Sequence, residues 1–236
     1  MGNELYFPGG RYISTYDSRD LNLSLFGPST SVGTLNPNIE WAFPQESLDQ
    51  DTTPHCVGFG MAGFGINLPV YTPYTNEAGH KFYYKCKIID GNPGSEEGST
   101  IRSAAKVLKQ EGIINAYAFA YDLATIKWWL LNRGPLLVGT IWTSDMMKPD
   151  KDNIIYPTGM RLGGHAYLIR GIENGKFLFQ NSWSADWGEN GSAYMYESDF
   201  EKIFKYDGEA VTAVELENRS VRKPCKFLDV IKNLFT

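Results

Sequence analysis

Cysteine is scarce in this sequence of 236 residues: Cys56, Cys86 and Cys225 are the only three, and no two stand in a Cys-x-x-Cys spacing. So small and odd a number excludes the disulfide framework of small secreted domains and favours a reducing compartment. The three histidines, His55, His80 and His165, are dispersed, so the ligand pattern of a structural zinc site is missing and no metal or cofactor is expected. No stretch approaches the roughly 18 to 20 apolar residues of a membrane helix, and Met1 to Tyr12 lacks a basic segment followed by an apolar run. Neither a membrane partner nor a standard export signal is expected. The net charge is -5 and the Lys and Arg residues are scattered, which leaves no basic field for a phosphate backbone and argues against nucleic acid. Internal repeats and low-complexity tracts are absent as well.

What is present is ordinary for a globular protein: 42% hydrophobic, 14% aromatic and 21% charged residues, in a chain long enough for two lobes that share a cleft. Residues 1 to 47, rich in Gly, Pro, Ser, Thr and Asn, read as an extended, irregular segment. From Cys56 to Phe64 small and apolar residues take over, which predicts a helix buried on most faces. Gly58, Gly60, Gly63 and Gly65 oppose that helix on propensity, so something else selects them. After a turn-rich loop at 91 to 99, Ser99 is the expected cap of an amphipathic helix from Ile101 to Gln110. A second helix, Leu123 to Asn132, ends at Arg133-Gly134-Pro135. Beyond it Leu136 to Ile141, Ala166 to Ile172, Lys176 to Gln180, Ser192 to Tyr196 and Ala210 to Leu216 read as strands of an antiparallel sheet or barrel. Phe227 to Phe235 is an amphipathic surface-helix candidate.

Three short segments carry chemistry. In the first, a turn-forming stretch from Gln50 ends at His55-Cys56-Val57-Gly58-Phe59, placing a thiol where a helix begins. Unpaired backbone N–H groups and the positive end of the helix dipole favour a thiolate there, although a lone Cys beside an apolar run also fits a small buried hydrophobe. The second, Gly163-Gly164-His165-Ala166-Tyr167, reads as a histidine opening a strand after a flexible turn; alone, it suits a structural or a catalytic imidazole equally. The third, Gln180-Asn181-Ser182-Trp183-Ser184-Ala185-Asp186-Trp187-Gly188, follows a strand and holds two tryptophans four apart, where anchoring aromatics and a turn-forming Asn are the bland reading.

Together these segments resemble the papain family of cysteine peptidases: a Gln six positions before a Cys, a His followed by Ala, and an Asn-Ser-Trp segment with a second Trp, over about Leu48 to Tyr196. The resemblance implies an α+β, two-lobed fold, with a helical lobe at about 48 to 134, an antiparallel β-barrel-like lobe at about 135 to 218, and the active site in the cleft between them. Residues 1 to 47 and 219 to 236 would flank this catalytic domain. It further implies Cys56 as nucleophile in a thiolate–imidazolium pair with His165, and Asn181 orienting the ring. Gln50 and the Cys56 N–H would form the oxyanion hole, with Trp183 and Trp187 supporting the site and Glu97, Gly98, Ser99 and Gly164 lining the substrate. The expected partners are a peptide or protein substrate and a protein inhibitor lying in the cleft; oligomeric state is left open.

Departures from the family pattern are also legible. Val57 stands where the family has Trp, which makes the wall beside the sulfur less bulky. Thr53 replaces a half-cystine, Ser184 replaces a Gly, and the Cys-to-His interval falls short of the family's roughly 130 residues. His55 is expected to serve a structural or surface role, and Glu96 or Glu97 to be solvated. With no long helical pro-segment in view, these traits resemble a leaderless prokaryotic or viral member, and a cytoplasmic setting, in a viral particle or host cell if viral, is expected. Two other functions share this pattern: a silent papain-like binding module, and a thiol amidase or acyl transferase acting on cell-wall peptides.

Overall fold

The structure is a computed structural model that describes residues 7–26 and 38–214; Cys225 and the helix candidate at Phe227 to Phe235 lie outside the described residues. In chain order the elements are β1 (Arg11–Tyr12), β2 (Ile39–Glu40), α1 (Cys56–Ile66), α2 (Asn76–Ile89), β3 (Ser99–Thr100), α3 (Ile101–Gln110), β4 (Ala116–Ala120), α4 (Leu123–Asn132), β5 (Leu136–Thr143), β6 (Arg161–Glu173), β7 (Lys176–Gln180), β8 (Ser192–Tyr196), α5 (Glu197–Asp207) and β9 (Glu209–Val214). Single-turn 3-10 helices occupy Leu23–Phe26 and Ser144–Met146.

Every residue of α1 is buried, and its glycines have a packing cause. A Cβ on Gly58 would run into the Gly79 carbonyl and the Tyr83 backbone of α2, while one on Gly60 would come within 2.6 Å of Leu137 on β5. The helix is thus wedged between α2 and the sheet at separations that only a missing side chain permits, and this outweighs the roughly 1 kcal/mol that each Gly costs in a helix. The cap of α3 is Thr100, one residue later than expected: its hydroxyl accepts from Ser103 N at 3.1 Å, while the Ser99 hydroxyl is drawn instead to Asp90. Asp122 caps α4 by accepting from Thr125 N at 2.7 Å.

The main sheet is antiparallel, in the order β4-β9-β5-β6-β7-β8, with β2 pairing on β6. Alternation along its central strands divides the interior in two. On β6, Ala166 and Leu168 face the helical core with α1 and α3, whereas Tyr167 and Ile169 face a second core with Trp142, Phe177, Phe179 and Phe200. Leu137 joins the helical core while its neighbours Leu136 and Val138 join the other. Each fully buried side chain of this size contributes about 2 to 3 kcal/mol, so the two faces of β5 and β6 fix the lobes to one shared wall. Helix α4 sends Ile126, Trp129 and Leu130 into the sheet-side core, although it precedes residue 135. His165 lies inside β6, opposite Thr140 of β5, rather than at the opening of a strand: Gly163 and Gly164 are themselves paired with β5.

Candidate active site

Cys56 is the first residue of α1, and its thiol is fully buried. The backbone N–H of Gly10 donates to the Cys56 sulfur at 3.3 Å. Burial pushes the thiol up to about 11, against the opposing influence of the Ala166, Gly10 and Val57 backbone N–H groups. The sulfur therefore sits against β6, one residue from His165.

The imidazole of His165 is held in one tautomer. The Ser182 backbone N–H donates to Asn181 Oδ1 at 2.9 Å, which identifies that atom as the amide oxygen, and His165 Nε2 lies 2.8 Å from the same oxygen. An oxygen only accepts, so Nε2 carries the proton and Nδ1 keeps its lone pair. His165 Nδ1 is buried without a hydrogen-bond partner among the described residues. Burial of the ring lowers its pKa to about 4, with the Asn181 bond pulling weakly the other way. While the cleft is covered, burial thus favours the neutral thiol of Cys56 and the neutral imidazole of His165 over their charged forms.

Aromatic rings box in the imidazole. Trp183 lies with its centroid 4.8 Å from the His165 ring, tilted 34°, and Trp142 approaches edge-on at the same distance. Trp187 packs against Trp183 at 5.9 Å and donates its indole N–H to the Met147 carbonyl, so it steadies Trp183 rather than the histidine.

Gln50 is fully buried and equally well oriented. Its Oε1 accepts from Ser182 Oγ at 2.7 Å and its backbone N–H donates to the Ser182 carbonyl at 2.9 Å, which leaves Nε2 as the donor end of the amide. That Nε2 donates to the Pro8 carbonyl at 2.6 Å and to the Thr53 carbonyl at 2.8 Å. Ser182 thus ties the Gln50 turn to the Asn181 segment across the cleft.

The N-terminal segment runs through this site. Phe7 packs edge-on against His165 and Trp183, with centroids 6.1 and 6.3 Å apart. Pro8 occupies the Gln50 donor, Gly10 meets the sulfur, and Arg11–Tyr12 pairs in parallel with Ser99–Thr100. The Ser99 N–H donates to the Gly10 carbonyl at 2.7 Å. Gly98 and Gly164 flank the segment so closely that a Cβ on either would strike the Gly10 or Arg11 carbonyl. Of the four residues expected to line the substrate, Gly98, Ser99 and Gly164 thus meet the segment directly. Glu97 is exposed and offers its carbonyl to the Tyr83 hydroxyl.

His55 is buried rather than at the surface, stacked on Tyr83 with centroids 3.6 Å apart. Its Nδ1 faces His80 Nδ1 at 2.8 Å and its Nε2 faces Glu96 at 3.1 Å, so Glu96 has a protein partner although its side chain is largely exposed. Burial lowers the His55 pKa, with Glu96 opposing.

Sequence reasoning missed Phe7, Pro8, Gly10, Arg11, Trp142 and Ser182 as members of this site. The first four carry a faint signal in Pro8-Gly9-Gly10, small residues suited to a narrow passage: a Cβ on Gly10 would collide with the Pro54 carbonyl. Trp142 carries none, since it reads only as the far end of a buried strand. Among the described residues no group of three or more His, Cys, Asp or Glu is placed to hold a metal ion, and no helix is long and apolar enough to cross a membrane.

No family model matches the sequence. Over 80 residues it is 34% identical to cathepsin B-like cysteine proteinase 4 of Caenorhabditis elegans, a match that takes in 32% of this chain and 24% of the relative. The chain therefore spans about a quarter of the length of the curated relative it matches. Among solved structures it is similar to xylellain, a cysteine protease from Xylella fastidiosa, with a TM-score of 0.69 at 19% identity over 91% of this chain and 99% of that one. It is also similar to procathepsin B S9 from Trypanosoma congolense, with a TM-score of 0.64 at 15% identity over 88% of this chain and 86% of that one. The fold is that of the papain-like cysteine proteases.

Proposed function

We propose that this protein is a papain-like cysteine peptidase whose N-terminal segment covers its own cleft. The observation that carries the reading is the His165–Asn181 pair: with Nε2 committed to Asn181, Nδ1 is left as the base, one residue along β6 from the backbone that meets the Cys56 sulfur. Peptides or proteins are the proposed substrates.

The segment has to leave before a substrate carbonyl can enter, because Pro8 and Gly10 hold the Gln50 and Cys56 groups that would receive it. Its departure readmits water. The burial that holds His165 low and Cys56 high then weakens, and a proton passes from sulfur to Nδ1. The thiolate attacks the scissile carbonyl, and the developing oxyanion takes hydrogen bonds from Gln50 Nε2 and the Cys56 N–H, each such donor supplying about 3 to 4 kcal/mol. The imidazolium, steadied by Asn181, protonates the departing amine. His165 then deprotonates a water that hydrolyses the acyl-enzyme and frees the thiol.

The test is reaction with an epoxide inhibitor of cysteine peptidases, mapped by mass spectrometry, alongside hydrolysis of fluorogenic peptides. Cys56 is the expected labelled residue, and Cys56→Ala is expected to lose both labelling and hydrolysis. Hydrolysis that survives in Cys56→Ala would overturn the assignment.

A further inference from the structure

The cleft holds two largely buried carboxylates that the acyl-transfer chemistry leaves unused. Asp207 ends α5 and Glu209 begins β9, with side chains only 4% and 13% exposed. Between them lies Arg11, its side chain fully buried, with Nη1 3.3 Å from Asp207 and Nη2 2.6 Å from Glu209; Nη2 also donates to the Asp207 carbonyl at 2.6 Å. The walls are shaped for a long side chain. A Cβ on Gly139 of β5 would come within 2.7 Å of the Arg11 Nε, and one on Gly164 of β6 would press on the Arg11 stem at 3.4 Å. Arg11 directly follows Gly10, the residue that meets the sulfur, so this pocket opens beside the reacting centre.

We propose that Asp207 and Glu209 form a side-chain pocket that selects an arginine or lysine of the substrate, and that Arg11 fills this pocket while the N-terminal segment covers the cleft. The proposal rests on the peptidase reading. Two observations favour a pocket with exchangeable occupants over a permanent structural ion pair. Arg11 fits incompletely, since its buried Nε and Nη1 have no hydrogen-bond acceptor among the described residues. The segment carrying it also holds the oxyanion donor and the thiol, so substrate and Arg11 exclude one another. Once the segment leaves, Asp207 keeps its bond from the Ile141 N–H and the half-exposed Arg161 at 3.8 Å, while Glu209 loses the Ser14 N–H together with Arg11, because Ser14 lies on the same segment. Buried carboxylates left so short of cations penalise a neutral side chain and reward a guanidinium or an ammonium.

Two measurements test this on the full chain. In Arg11→Ala, n-propylguanidinium is expected to raise the unfolding midpoint by several degrees. The neutral n-propylurea should not, and the effect should vanish in Arg11→Ala/Glu209→Gln and be absent from the wild type, where Arg11 fills the pocket. Equal responses in all three proteins would overturn the proposal. Because Arg11→Ala strands two carboxylates at a cost to folding, the second measurement uses Arg11-containing protein: digestion of a peptide mixture, read as the residues flanking each cleaved bond. At least ten-fold enrichment of Arg and Lys at one fixed position within three residues of the bond is expected, falling to a few-fold in Glu209→Gln. Cleavage without that enrichment, with Cys56 still taking an epoxide, would sink the pocket and leave the peptidase reading standing. Absence of both cleavage and Cys56 labelling would sink the peptidase reading, and the selectivity proposal with it.

Discussion

Acidification should loosen this protein through His165, by an amount the structure allows to be worked out. The ring is buried, and its pKa falls from an ordinary 6.5 to about 4. In the folded state it is therefore neutral at pH values where the unfolded chain binds a proton. Stability is fully present above about pH 7, is lost as pH drops through 6.5, and stops falling once pH passes below about 4, where both states are protonated. At about 1.4 kcal/mol per factor of ten in proton affinity, the loss is about 3 kcal/mol, a sizeable share of the 5 to 15 kcal/mol that holds an ordinary domain together. His55, lowered mainly by burial, adds to the loss in the same direction. The assay is chemical denaturation at half-unit steps from pH 7.5 to 4, comparing wild type with His165→Gln, whose amide still donates to Asn181 but takes up no proton. The wild-type curve should fall more steeply, and the gap between the curves should change by about 3 kcal/mol across the window. Parallel curves would refute the argument, since they would show that His165 is hydrated and that the N-terminal segment does not seal the cleft in solution.

Further outcomes follow from the same geometry. Gln50→Ala should lower kcat on the order of 10²-fold with a smaller change in KM, because the role proposed for its amide is to bind the oxyanion; a rise in KM alone would make it a ground-state binding residue. Ser182→Ala removes the bond that aims Gln50, and should lower kcat by on the order of ten-fold while the pH profile of kcat/KM keeps its shape; a shifted profile would place its effect on His165 instead. Cys86 is buried with its sulfur 3.5 Å from Met61 Sδ, and burial pushes its thiol up, so a thiol reagent should reach it only on unfolding and a reductant should leave the unfolding midpoint unchanged. Rapid modification of Cys86 in the folded protein would contradict that packing.

The sequence by itself determined most of the regular structure and singled out the three segments that carry Cys56, His165 and Asn181. The helices from Ile101 to Gln110 and from Leu123 to Asn132 and the strands Lys176–Gln180 and Ser192–Tyr196 are found where their patterns put them, because apolar spacing, caps and turn residues are local signals. Helix α2 was missed: its polar positions alternate with aromatics whose burial depends on α1, a contact invisible along the chain. Helix α5 and strand β4 escaped for the same reason, since each is defined by the sheet-side core or by pairing with β9. What only the tertiary structure decided is which of the chemical groups are free to act. Gln50, Cys56 and His165 are separated by long intervals, and their tautomer, amide orientation and protonation follow from Ser182, Asn181 and the surrounding burial. The path of Pro8 to Tyr12 through the cleft, with Arg11 between Asp207 and Glu209, joins residues about 200 positions apart. Such a contact leaves no periodic trace in a turn-rich segment, because it is set by the shape and charge of the cleft that other parts of the chain build.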